Sequence, residues 1–101
     1  MPFETSAERA TAQSESDQQV VRFVNRTRTM ESEADQFIGS LTSAKNNLTA
    51  AKTASDAAVA ANTENAVLAT ENAVLAAKLT ELDAVLTQAT ALKNGIATLL
   101  A

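Results

Sequence analysis

A chain of 101 residues with 46% hydrophobic content but three aromatic residues, two glycines and one proline is one domain at most, too poor in turn-formers for a many-turned globule. Twelve acids against eight bases give a net charge of -4, which disfavours a general binder of nucleic acid or anionic membrane because phosphate would repel it. Without histidine, cysteine, tyrosine or tryptophan the usual general base, soft metal ligands and thiol nucleophile are missing, so the sequence predicts no enzyme, no cofactor and no metal site.

Residues 1–15 are polar and carry no sustained apolar period. They read as a flexible or partner-ordered arm in which Phe3 is the side chain suited to a partner contact. Thr5 with Glu8 offers a capping box for a short helix there, but Ser16 with Gln19, immediately before Val20 and Val21, is the preferred helix start. The arm lacks the basic start and apolar stretch of a secretory signal, and nowhere do about 18 apolar residues run together as a bilayer span requires. A soluble protein without membrane insertion is therefore expected, its location open.

A first helical segment, 16–52, carries apolar positions in steps of three and four: Val20, Phe23, Thr27, Met30, Ala34, Phe37, Leu41, Ala44, Leu48 and Ala51. That is a heptad seam, and it assigns Phe23, Met30, Phe37, Leu41 and Leu48 to an oligomer core. Arg22, Arg26 and Arg28 form the one basic concentration; they suit ion pairs with Glu31, Glu33 or Asp35, or, more weakly, phosphate contact. Gly39 sits inside the seam, and because the period continues through Leu41 the helix is expected to pass through it. The stretch Phe37-Ile38-Gly39 faintly resembles the Trp-x-Gly turn of the WXG100 export family, small helical hairpins of similar length. That resemblance implies a binding module that pairs with a helical partner, although the tryptophan is absent and no tyrosine supplies the family's C-terminal signal.

The phase of the pattern changes between residues 52 and 61, where Lys52 suits a helix end and Thr53 with Asp56 suits a new cap. No glycine or proline marks the place. A kinked rod, in which residues 17–93 would span roughly 115 Å, and a hairpin of about half that length both stay open.

The second segment, 53–94, has the stronger seam, with Leu68, Leu75 and Leu82 in one column and Asn65, Asn72, Leu79 and Leu86 in the other. It contains one seven-residue word written twice, TENAVLA, from Thr63 to Ala69 and from Thr70 to Ala76. Asparagine inside a seam sets register at a cost in stability, and both Asn65 and Asn72 are assigned that role. Alanine where a parallel dimer would place a charge gives a broad apolar face, which favours three or more helices in contact. Lys93-Asn94-Gly95 predicts a helix stop, leaving 95–101 as an apolar tail in which Ile96, Leu99 and Leu100 meet a partner.

These readings give an all-α chain of long helices with heptad seams, as a coiled coil or as a helical hairpin in an oligomeric bundle. The function expected is non-enzymatic: a self-associating coiled-coil component, trimeric or higher, docking with another structural protein in a particle or fibre of the virion or surface-appendage type.

Overall fold

The computed structural model describes residues 5–101 and consists, among them, of two α-helices, α1 (Ser6–Ala61) and α2 (Ala66–Leu100). They fold back on each other as an antiparallel hairpin measuring 89 × 21 × 18 Å, the length of the longer helix and about two helix diameters across. The chain is thus a hairpin and not a kinked rod.

α1 begins at Ser6, inside the stretch read as an arm. Thr5, in extended backbone, accepts the Glu8 amide on its hydroxyl at 3.1 Å, so this cap, and not Ser16 with Gln19, opens the helix. Residues 6–15 lack an apolar period but hold no proline or glycine, and five of them are good helix formers of the alanine and glutamate kind, at positions 7, 8, 10, 12 and 15. Helix formation here rests on propensity and capping, which a search for apolar periodicity does not register. Phe3 lies outside the described residues.

The corner falls at Asn62–Asn65, just beyond the change of phase, and two asparagine side chains with one backbone bond replace glycine and proline. Asn62 donates its amide to the Ala58 carbonyl at 2.9 Å, closing α1. The Asn65 backbone N–H donates to the Asn62 carbonyl at 3.0 Å, and the Asn65 side-chain oxygen accepts from the amides of Val67 and Leu68 at 3.1 and 3.2 Å, opening α2. No described residue has positive φ, so none of this requires glycine. The boundary expected at 52–53 is not a boundary. Thr53 returns its hydroxyl to the Thr49 carbonyl and Asp56 pairs with Lys52, both within an uninterrupted helix.

The residues withdrawn from solvent fix the seam. On α1 they are Val24, Glu31, Ile38, Lys45, Lys52 and Val59 in one column, here position a, and Thr27, Ala34, Leu41, Leu48 and Ser55 in the other, position d, with Ala58 beside them near the corner. On α2 the a column is Asn72, Leu79, Leu86, Lys93 and Leu100, and the d column Leu68, Leu75, Leu82, Ala89 and Ile96. Both are unbroken heptads facing each other. Ala89, Ile96 and Thr27 are the buried residues, and Thr27 satisfies its hydroxyl by donating to the Phe23 carbonyl at 2.7 Å.

The glycines are both helical and both face open space. Gly39 is passed through as expected. Gly95 is not a stop: Ile96 is buried and Leu100 half-buried in the seam, and continuing the helix keeps them there where a left-handed turn would swing them out.

Cross-helix pairs set the register. Lys45 meets Asp83 and Asp35 meets Lys93, so moving ten residues back along α1 moves ten forward along α2. At this register Leu100 stands level with Arg28, and α1 runs on beyond it for roughly 30 Å without a partner helix. Replacing Asn65 with alanine removes the acceptor that opens α2 and should cost about 1 kcal/mol of stability in chemical unfolding followed by circular dichroism. An Asn65→Ala midpoint equal to that of the unaltered chain would count against the corner described.

Candidate functional site

Going round either helix, position e adjoins a and position g adjoins d, and in an antiparallel pair the two e columns share one side of the seam while the two g columns share the other. The hairpin therefore has two faces, and their chemistry differs.

The a/e face is polar. Lys45 at a reaches Asp83 at e on α2 across 2.6 Å, Lys93 at a pairs with Asp35 at e on α1, and Lys52 pairs with Asp56 one turn on. Asn72 donates to the Asp56 carboxylate at 2.7 Å and to the Ser55 hydroxyl at 3.1 Å, bridging the helices near the corner. The Lys52 and Asn72 donors hold the Asp56 carboxyl below its usual range. Hydrogen bonding to Asp35, with its charge, holds the Lys93 ammonium above its usual value. The groove along this face, bordered by Lys45, Asp83, Thr87 and Thr90, is open and has no activated nucleophile. Among the described residues no three acidic, histidine or cysteine side chains gather as a metal site.

The d/g face is apolar. Its α1 column begins with Arg9 and then reads Ser16, Phe23, Met30, Phe37, Ala44, Ala51 and Ala58, uncharged from Ser16 onward. On α2 the column begins with Glu71 and Lys78 and then becomes Val85, Leu92 and Leu99. The hairpin register brings Phe37 beside Leu92 and Met30 beside Leu99. Phe23, Phe37, Leu92 and Leu99 are each half or more exposed, and Met30 and Val85 are 39% exposed. Together they leave bare apolar surface on the order of 600 Å², where a few hundred is the usual ceiling for a lone soluble chain.

Of the residues assigned to a core, Leu41, Leu48, Leu68, Leu75, Leu79, Leu82 and Leu86 lie in the intrachain seam. Phe23, Met30 and Phe37 do not. They sit one position before the a column, because Val24, Glu31 and Ile38 are the residues that meet α2. Of the two asparagines only Asn72 lies in the seam, where it bonds across to the other helix; Asn65 is spent capping α2. Ile96 and Leu100 are taken up by the seam, while Leu99 joins the exposed face. Arg22 and Arg26 flank Phe23 on the outer side of α1, whereas Arg28 lies at e on the opposite face, so the three do not form one basic surface. Phe37-Ile38-Gly39 runs straight through α1, without the turn its resemblance to the WXG100 family implied.

Compared with protein-family models, curated proteins and solved structures, the chain matches none. No helix of the described residues is long and apolar enough to cross a membrane.

The polar face makes a pH prediction with two limbs. A depressed folded-state value means that the Asp56 contribution is present above the ordinary carboxylate pKa and is lost as pH falls through the lowered one. A raised value means that the Lys93 contribution is full below the ordinary ammonium pKa and is lost as pH rises through the raised one. Thermal melts followed by circular dichroism across pH should therefore weaken at both extremes, with Asp56→Asn flattening the acid limb and Lys93→Met the alkaline limb. An acid limb unchanged in Asp56→Asn would show that this carboxylate does not carry it.

Proposed function

We propose that this chain is a non-enzymatic structural element: a helical hairpin that self-associates through its d/g face and serves as a building unit of a larger assembly, of the virion or surface-appendage kind. The observation that carries the reading is the bare apolar face itself. Phe23, Met30 and Phe37 on one helix and Val85, Leu92 and Leu99 on the other line up on one side of the seam, while the opposite side holds every cross-helix ion pair. Apolar surface on the order of 600 Å², enlarged by the flanking alanines, approaches the roughly 800 Å² per partner of a stable protein interface. Charge is missing from the stretch of this face that runs from Phe23 to Phe37 and from Val85 to Leu99, and abundant where the chain pairs with itself.

Two hairpins joined at this face place four helices in contact, which satisfies the broad apolar stripe better than a two-stranded rod. Phosphate contact is disfavoured by the separation of Arg28 from Arg22 and Arg26 and by the acidic net charge.

Light scattering and sedimentation at micromolar concentration should report more than one chain per particle. The Phe37→Asp, Leu92→Asp double variant should fall to a single chain with its helical circular dichroism largely retained, since both side chains lie outside the intrachain seam. A monomer for the unaltered chain at high concentration would defeat the proposal.

A further inference from the structure

The d/g face also carries directional information. We infer that two copies pair antiparallel, face to face, about a two-fold axis at the midpoint of α1, so that the unpartnered N-terminal end of each α1 lies on the corner half of the other copy. This rests on the self-association proposed above and specifies its geometry.

Three observations point to this arrangement. The first is steric. An axis between residues 33 and 34 brings the g column of α1 onto itself in heptad register: Met30 opposite Phe37 of the second copy, Phe23 opposite Ala44, Ser16 opposite Ala51 and Arg9 opposite Ala58. Phenylalanine thus meets alanine, and the medium-sized and large side chains meet near the axis, the alternation of sizes by which facing layers interdigitate. The same axis bisects Ser6–Ala61, so the two α1 helices overlap along their full length and the roughly 30 Å of α1 without a partner gains one.

The second observation is electrostatic. The g column of α2 is charged only near the corner, where the hairpin register sets Glu71 level with Ala57 and Lys78 level with Ala50. Antiparallel pairing brings Arg9 of the second copy to Glu71, and brings Ser16, flanked by Glu15 and Asp17, to Lys78. Opposite charges meet at both places. Glu33 meets its own mate near the axis, at the solvent rim, where screening keeps the cost small.

The third is Gly95. It sits inside a continuous helix with no conformational need for glycine, since its φ is not positive and a Cβ there would meet open space within the chain. The hairpin register sets it level with Glu33, at the proposed axis, where the two α2 helices cross and close backbone approach favours glycine. A parallel stacking of hairpins would instead lay α1 over α2 of the second copy, leaving Phe23 and the whole N-terminal end unmatched.

The chain has no cysteine, so introduced thiols report contacts without background. Ser16→Cys with Ala51→Cys, oxidised or treated with a short bismaleimide, should close into a covalent dimer on a non-reducing gel. The two sites lie too far apart along one helix to join within a chain. Each single variant should stay uncrosslinked, because the two thiols introduced at position 16, like the two introduced at position 51, are at opposite ends of the pair. Glu33→Gln should tighten the dimer in sedimentation. Self-crosslinking of the Ser16→Cys variant would establish a parallel pair and overturn the inference, as would a ladder of covalent oligomers, which marks an open stagger. Absence of crosslinks in the double variant while light scattering still reports two chains would overturn it too, yet leave self-association standing. A monomeric unaltered chain would remove both.

Discussion

The pairing of α1 with α2 rests on a seam whose two sides are chemically unlike, and most features of the molecule follow from that inequality. A symmetric two-stranded seam would be apolar at a and d and charged at both flanks. Here the a column of α1 includes Glu31, Lys45 and Lys52, and that of α2 includes Asn72 and Lys93. Of these, the three lysines and Asn72 lean to the e side, where acidic partners wait at Asp35, Asp56 and Asp83. The leucines stay in the d columns and in the dry middle of α2, so the apolar stripe of each helix is centred between d and g. One face of the hairpin is thereby completed within the chain and the other is not.

Such a seam is selective as well as cohesive. Sliding α2 by one heptad would set Lys45 against Ala76 or Thr90 in place of Asp83, and Asp35 against Leu86 or Leu100 in place of Lys93. Exposed ion pairs add little stability one by one, but a lysine half withdrawn from water without its acid is penalised, and it is this penalty that specifies register. The asparagines complete the arrangement. The doubled word places Asn65 and Asn72 in identical local sequence, and the fold gives them unrelated tasks, one capping α2 and the other bridging to α1. Only the distance to the corner separates the two.

That division marks what can be read from residues alone. The helices, the α2 seam and the passage through Gly39 follow from period and composition, because leucines at strict heptad spacing determine which line of a helix is apolar. Period does not say which neighbour that line meets. In α1 the apolar line runs Phe23, Thr27, Met30, Ala34, Phe37, which is d with g, whereas the contact with α2 is d with a; the offset of one residue depends on where Lys45 finds Asp83, and Asp35 finds Lys93, on the other helix. The start at Ser6 is hidden for a different reason, since a helix held by a cap and by propensity has no apolar stripe to display. Gly95 misleads because its local sequence suits a stop, while Ile96 and Leu100 gain burial only if the helix continues.

The small extent of the intrachain core leaves much apolar surface uncovered within the chain. Among the described residues two apolar residues and one threonine are buried, while Phe23, Phe37, Leu92 and Leu99 are exposed. Burial is worth roughly 25 cal/mol per Å² of apolar surface, so covering the open face of each copy would contribute stabilisation comparable with the whole net stability of an ordinary small domain, before the entropic cost of association is subtracted. In the pair proposed above, folding and assembly would be linked through mass action, the paired state drawing the hairpin equilibrium toward order as concentration rises. The N-terminal end of α1 feels this coupling most, because it has no intrachain partner and depends on its Thr5 cap, its alanines and whatever surface lies alongside it. In the proposed pair the least supported helix would become fully stable only where a second copy lies against it.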